Sequence, residues 1–149
     1  MSYIVVTGGT SKIGEELIYK LSKNSNVIFT YNKSKLKAEQ IKKKFKKIST
    51  NKIFSFRLNL ENQNEIQKFY EFLTKKKIKI KSFVHNAFIN FSRKSFLKIK
   101  KNNVKNYIMA NCFGSFLLTQ FITKLIIKST IEDKSLIFIS SQSAEYGGF

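Results

Sequence analysis

Eight residues near the start of the chain, Thr7 to Gly14, read TGGTSKIG and set three glycines among small polar side chains. The apolar run Tyr3-Ile4-Val5-Val6 precedes them, and Ile13, Leu17, Ile18 and Leu21 follow with helical spacing. A strand, a glycine turn and a helix in that order build a phosphate site. Backbone N–H groups point outward at a helix N-terminus, and the helix dipole favours an anion there. Glycines let the chain turn tightly and let a pyrophosphate approach the backbone. The contacts are expected from Gly8, Gly9, Thr10, Ser11, Ile13 and Gly14. A second candidate point is Asn86-Ala87, which ends another apolar run. Open α/β sheets bind ligands at such strand ends.

Other chemistries are poorly supplied. His85 is the only histidine and Cys112 the only cysteine. Zinc catalysis, a disulfide framework and a Ser-His-Asp triad therefore have little to build on. No histidine is placed to activate Ser141 as a nucleophile, so acyl transfer is not expected.

These residues need elements to position them. Candidate strands are Tyr3–Val6, Val27–Tyr31, Ile53–Leu58, Ser82–Asn86 and Ser135–Ser140. Candidate helices are Ile13–Ser22, Ser34–Ile48, Asn62–Lys76 and Asn102–Lys128. Leu36, Ile41, Phe45 and Ile48 recur near one helical face, as do Ile66, Phe69, Tyr70 and Leu73. The alternation runs from end to end without repeats or a linker. It predicts one α/β domain over residues 1–149, a Rossmann-type doubly wound parallel sheet of about five strands covered on both faces.

Four stretches, in order and at fitting distances, resemble the short-chain dehydrogenase/reductase family in its single-domain branch. TGGTSKIG resembles the family's TGxxxGxG cofactor turn. FVHNAF (Phe83–Phe88) is similar to the "NNAG" end of the fourth strand. Asn111, in MANCFGSFLLTQ, resembles the helix-borne asparagine of "N-x-x-G-x-F". LIFISSQSA (Leu136–Ala144) looks like the fifth strand ending in the catalytic serine. The resemblance implies an oxidoreductase moving hydride between NAD(P)(H) and a carbonyl or alcohol. It implies Ser141 as the residue orienting the substrate carbonyl and Asn111 as a relay residue. A tyrosine would be the general acid/base, its pKa lowered by a lysine. Asn59-Leu60 stands where the family usually has an Asp touching adenine, and asparagine keeps both donor and acceptor there.

The second strand bears on the choice of cofactor. Dinucleotide folds hold the ribose 2′-hydroxyl of NAD with an acid about 20 residues beyond the turn. Tyr31-Asn32-Lys33-Ser34-Lys35 contains no acid. Asn32 and Lys33 could bind a 2′-phosphate that a carboxylate would repel, so NADP(H) is expected over NAD(H).

The chain also departs from the pattern. Lys12 replaces the middle glycine of the turn, where it either crowds the pyrophosphate or places its ammonium on a phosphate. If Ser11 is read as the missing glycine instead, the turn resembles TGxxGxxG of the extended branch. His85 and Phe88 replace an Asn and a Gly of the fourth-strand motif. The YxxxK pair would begin roughly a dozen residues after Ser141. Tyr146 is too close to Ser141 for that role, and no lysine follows it. The expectation is a family chain cut before YxxxK, incomplete on the C-terminal side of its sheet and not catalytically competent by itself. The alternative is a non-catalytic nucleotide-binding or partner-binding module. An apolar sheet edge and the flank of the Asn102–Lys128 helix would then lack their usual cover. A second copy or a partner chain could dock there, and a small-molecule substrate would enter only a completed site.

Net charge is +19, with Lys+Arg 28 against Asp+Glu 9. Only Arg57 and Arg93 are arginines, while proline and tryptophan are absent. Lysine, asparagine, isoleucine and phenylalanine have A/T-rich codons, so an A/T-biased genome accounts for the charge. Specific nucleic-acid readers favour arginine's planar fork. Specific nucleic-acid binding is therefore not expected, although salt-sensitive sticking is. No charged segment precedes an apolar one at the N-terminus, so no signal peptide is expected. The longest apolar stretch, Phe113 to Ile127, is interrupted by Gln120 and Lys124 and is too short to span a bilayer. A cytoplasmic setting without a membrane is the expectation.

Overall fold

A computed structural model describes residues 2–90 and 96–141 of the chain. Its strands are β1 (Ser2–Val6), β2 (Asn26–Tyr31), β3 (Ile53–Arg57), β4 (Lys79–His85) and β5 (Ser135–Phe138). They form one sheet in the order β3-β2-β1-β4-β5, and every neighbouring pair is parallel. Helices α1 (Lys12–Ser22), α2 (Lys35–Lys46) and α3 (Gln63–Lys75) connect the first four strands. The long helical run before β5 has three parts: α4 (Lys101–Ile108), a π-helical segment (Met109–Gly114) and α5 (Ser115–Lys128).

Strand side chains alternate between two faces, and each face meets its own helices. Ile4, Val6 and Phe29 pack with Ile18 of α1 and Ala38, Ile41 and Phe45 of α2. Val5, Ile28 and Phe83 pack with Phe69 and Leu73 of α3 and Leu118 and Ile122 of α5. Central strands covered on both sides read as unbroken apolar runs. Phe29, Phe45, Phe69 and Phe83 are fully buried, each contributing about 2–3 kcal/mol of transfer free energy.

Three expected core positions face solvent instead. Ile13 is 57% exposed, Leu36 82% and Ile48 53%. The buried stripe of α2 is Ala38, Ile41 and Phe45. At 3.6 residues per turn, Leu36 lies about 160° around the helix from Ala38. Ile13 likewise stands about 140° from Ile18, and Ile48 lies beyond the end of α2. Strand β4 begins at Lys79, three residues before the expected Ser82, because Ile80 points inward between two lysines.

The expected double cover holds for β1, β2 and β4 but not for β5. Leu136, Ile137, Phe138 and Ile139 are all exposed, as are Ile108, Phe113, Phe116 and Ile127 of the long helix. The whole run Lys101–Lys128 is long and apolar enough to cross a membrane by length and composition, which the shorter apolar stretch alone did not suggest. Its Leu118, Ile122 and Ile126 nevertheless lie in the core, as in a helix packed on a sheet.

Candidate functional site

The strand order reverses between β1 and β4, and such a switch point leaves a crevice beyond the carboxyl ends of the strands. A cavity of about 470 Å³ opens there. Gly8, Thr10 and Ser11 of the glycine turn line it, with Asn32, Lys33 and Ser34 after β2, Leu60 and Glu61 after β3, and Asn86 to Ile89 after β4. Glu61 is its one carboxylate among the described residues.

The turn owes its shape to close approach. Gly8 adopts φ +65°, and a Cβ there would sit 2.9 Å from the Ala87 Cα. A Cβ on Gly14 would strike the Gly8 carbonyl, so α1 could not seat on the turn. Ser11 caps α1, its Oγ accepting from the Gly14 N–H at 3.0 Å. The Gly9 N–H donates to Thr30 O and the Ser11 N–H to Gly8 O. The N–H groups of Thr10, Lys12 and Ile13 have no partner among the described residues. They are the donors this helix start can offer an anion.

Strand β4 holds the turn from the other side. Asn86 Nδ2 lies 3.2 Å from Thr7 O, 3.2 Å from Gly8 O and 3.1 Å from Ser11 Oγ. Thr7 Oγ1 accepts from the backbone N–H of Asn86 at 3.0 Å and of Ala87 at 2.9 Å. His85, buried beneath them, contacts Thr7 through Nδ1 and Ser115 Oγ through Nε2. Burial holds its pKa below the usual imidazole value. At neutral pH the ring is uncharged.

Of the residues expected to meet a cofactor, Gly8, Thr10, Ser11, Asn32, Lys33, Leu60, Asn86 and Ala87 converge on the cavity. Gly9 is buried beneath the turn, and Gly14 is its packing partner. Lys12 and Ile13 are exposed outside the lining. Asn59 stands behind the wall, its Oδ1 accepting from Asn32 Nδ2 at 3.4 Å and from the Glu61 N–H at 3.1 Å. Asn111 pairs its side-chain amide with both the N–H and the C=O of Ile89, each at 2.9 Å, and Ile89 lines the cavity. Ser141 is exposed beyond β5 and does not line the cavity. Tyr146 lies outside the described residues.

Thr30, Tyr31, Ser34, Leu58, Glu61 and Ile89 also line the cavity without having been singled out for it, and so does Phe88, which stands at the glycine position of the fourth-strand motif. All lie at or just beyond strand ends. A rule placing ligands at carboxyl ends would have included them once the sheet order was known.

A family model described as short chain dehydrogenase matches residues 2–149. A short chain dehydrogenase from Shigella flexneri superposes with a TM-score of 0.86 at 21% identity, covering 99% of this chain and 58% of that one. A short-chain dehydrogenase/reductase from Serratia marcescens BCRC 10948 gives 0.84 at 19%, covering 97% and 57%. The chain thus spans less than two thirds of the length of these solved proteins. No curated protein matches it.

Proposed function

The chain belongs to the short-chain dehydrogenase family, and on that footing we propose that its cavity holds NADP(H) in preference to NAD(H). Members of the family bind one or the other. The observation that carries the preference is the wall after β2, where Asn32, Lys33 and Ser34 line the cavity with amide, ammonium and hydroxyl groups. Lys33 has no ion-pair partner among the described residues. A 2′-phosphate would supply one. Bound there, the cofactor would carry hydride to or from a carbonyl or alcohol carbon. The chain's own residues would cradle its phosphates on the turn and hold its adenosine between the ends of β2 and β3.

Catalysis is a separate matter. In this reading Ser141 would orient a substrate carbonyl, yet no YxxxK pair follows it within the 149 residues. The chain alone then binds cofactor and reduces carbonyls far below enzymic rates. Its exposed Cys112 thiol suits a reducing cytoplasm. The test is titration of the full chain with NADP+ and NAD+ by calorimetry. Tighter binding of NADP+, lost by about tenfold in Lys33→Glu while NAD+ affinity holds, is the expected result. Equal affinities would overturn the preference, and brisk NADPH-dependent carbonyl reduction would overturn the inactivity.

The second reading, a non-catalytic module that docks another chain, draws on β5, the last strand of the sheet among the described residues, and its exposed Leu136, Ile137 and Phe138. Such an edge offers backbone groups for strand pairing with a second copy or a partner. A monomer by sedimentation at every concentration, with no partner retained, would count against it.

A further inference from the structure

Two walls of the cavity are tied together by one hydroxyl group. Thr7 Oγ1 accepts from the N–H groups of Asn86 at 3.0 Å and Ala87 at 2.9 Å. Asn86 Nδ2 reaches back to the Gly8 carbonyl at 3.2 Å, and Gly8, Asn86 and Ala87 all line the cavity. The register between the turn after β1 and the end of β4 therefore depends on how Thr7 is held. His85 holds it from beneath, with Nδ1 3.1 Å from Thr7 Oγ1 and Nε2 3.0 Å from Ser115 Oγ.

That hydroxyl is saturated. Two N–H groups occupy its acceptor positions, which leaves it only a proton to offer His85. A neutral imidazole accepts that proton at Nδ1. An imidazolium carries protons on both nitrogens and would aim a donor at an oxygen with no acceptor position free. Either the new N–H stays unsatisfied, or Thr7 releases the N–H of Asn86 or Ala87. No neighbour compensates for the charge. The ring meets Thr7 in the turn, Phe83 on its own strand, Ser115 of α5 and Phe138 of β5, none of them ionisable. His85 makes no ion pair among the described residues.

We propose that neutral His85 is a positioning residue of the nucleotide site, acting through Thr7, and that protonating it weakens nucleotide binding. This rests on the nucleotide reading of the cavity and adds to it control by a proton. His85 does not itself line the cavity. Nucleotide and proton then oppose one another, and by linkage a bound nucleotide makes the ring harder to protonate. Charge alone predicts the reverse, since a nearby phosphate favours the imidazolium. The two effects are therefore told apart by their sign.

His85 is the only histidine in the chain, so its ring can be titrated by NMR in the full chain with and without saturating NADP+. With NADP+ the midpoint should lie about one pH unit lower, equivalent to about tenfold weaker binding to the charged form. Calorimetry in two buffers at about pH 6 gives a second readout, the protons released on NADP+ binding. The original chain should release more than His85→Asn, a comparison that subtracts titration of the 2′-phosphate itself. The ring titration needs no variant and decides the matter if His85→Asn does not fold. An unmoved or raised midpoint, or no excess proton release, overturns the inference alone. Failure to bind NADP+ at any pH overturns the cofactor reading and this inference with it.

Discussion

Thr7 and His85, 78 positions apart in the chain, form a buried hydrogen bond, with Thr7 Oγ1 3.1 Å from His85 Nδ1. The Thr7 oxygen already accepts from the N–H groups of Asn86 and Ala87. A hydroxyl has two acceptor positions and one proton, so its proton goes to His85 Nδ1. The imidazole therefore carries its own proton on Nε2 and donates it to Ser115 Oγ, 3.0 Å away. Ser115 passes the order on by donating to Ala110 O at 2.9 Å. One chain of donors thus links the glycine turn, β4 and the π-helical segment.

Removing the hub of this chain should be costly. Thr7→Val leaves two backbone N–H groups and an imidazole nitrogen without their partner. Each lost bond to a buried group costs about 1–3 kcal/mol. The urea midpoint should fall accordingly, whereas Thr7→Ser should retain most of the stability.

The same network gives a pH dependence of definite sign. Unfolded, His85 titrates near 6.5; folded, burial depresses its pKa. Below 6.5 the unfolded chain binds the extra proton and the folded chain resists it. The contribution is therefore complete above pH 6.5 and is lost as pH falls towards the lower folded value. Stability curves of the original chain and His85→Asn should converge above pH 6.5 in slope. They should diverge below it, with the variant the flatter.

Gly114→Ala should destabilise the fold by about 1–3 kcal/mol. A Cβ at Gly114 would run into the Leu60 carbonyl, pushing the long helix off the end of β3. Because Leu60 lines the cavity, nucleotide affinity should weaken along with the melting temperature.

Asn111→Ala removes the pair of hydrogen bonds to Ile89. Amide exchange at Ile89 should accelerate, and stability should fall by about 1–2 kcal/mol. An unchanged exchange rate at Ile89 would show that the segment is held by other means.

Strand β5, last in the sheet among the described residues, makes a prediction about solubility. Ile137→Lys, on an exposed strand bordered by other apolar residues, should reduce concentration-dependent light scattering. An equal tendency to associate would place the sticky surface elsewhere.

Much of this was readable from residue types. Strands β1 and β2 announce themselves as β-branched runs, and TGGTSKIG marks the turn at which the cavity opens. The wall after β3 and β4 was less readable, since Glu61, Phe88 and Ile89 reach one cavity only through the order in which distant strands pair. Asn111 shows another limit. An asparagine suited to a relay was visible, but its engagement with Ile89 depends on how the long helix is wound. The outward turn of Ile13 and Leu36 follows from helix phase, which single apolar residues near a helix start do not set. The π-helical segment has no compositional mark, because the same residues also suit an ordinary helix.

That segment solves a problem of phase. Ala110, Gly114, Leu118, Ile122 and Ile126 are all buried and recur every four residues. In an ordinary helix each such step drifts by about 40°, so every step without drift keeps the row on the sheet for longer. The wider turn at Met109–Gly114 takes that drift out of the first step, from Ala110 to Gly114, and so sets the phase in which α5 meets the sheet, in the manner of a leap day inserted into a calendar. A chain with one residue deleted there would keep its composition and its helix. Yet α5 would be rotated by about 100°, carrying Leu118 and its fellows off the sheet.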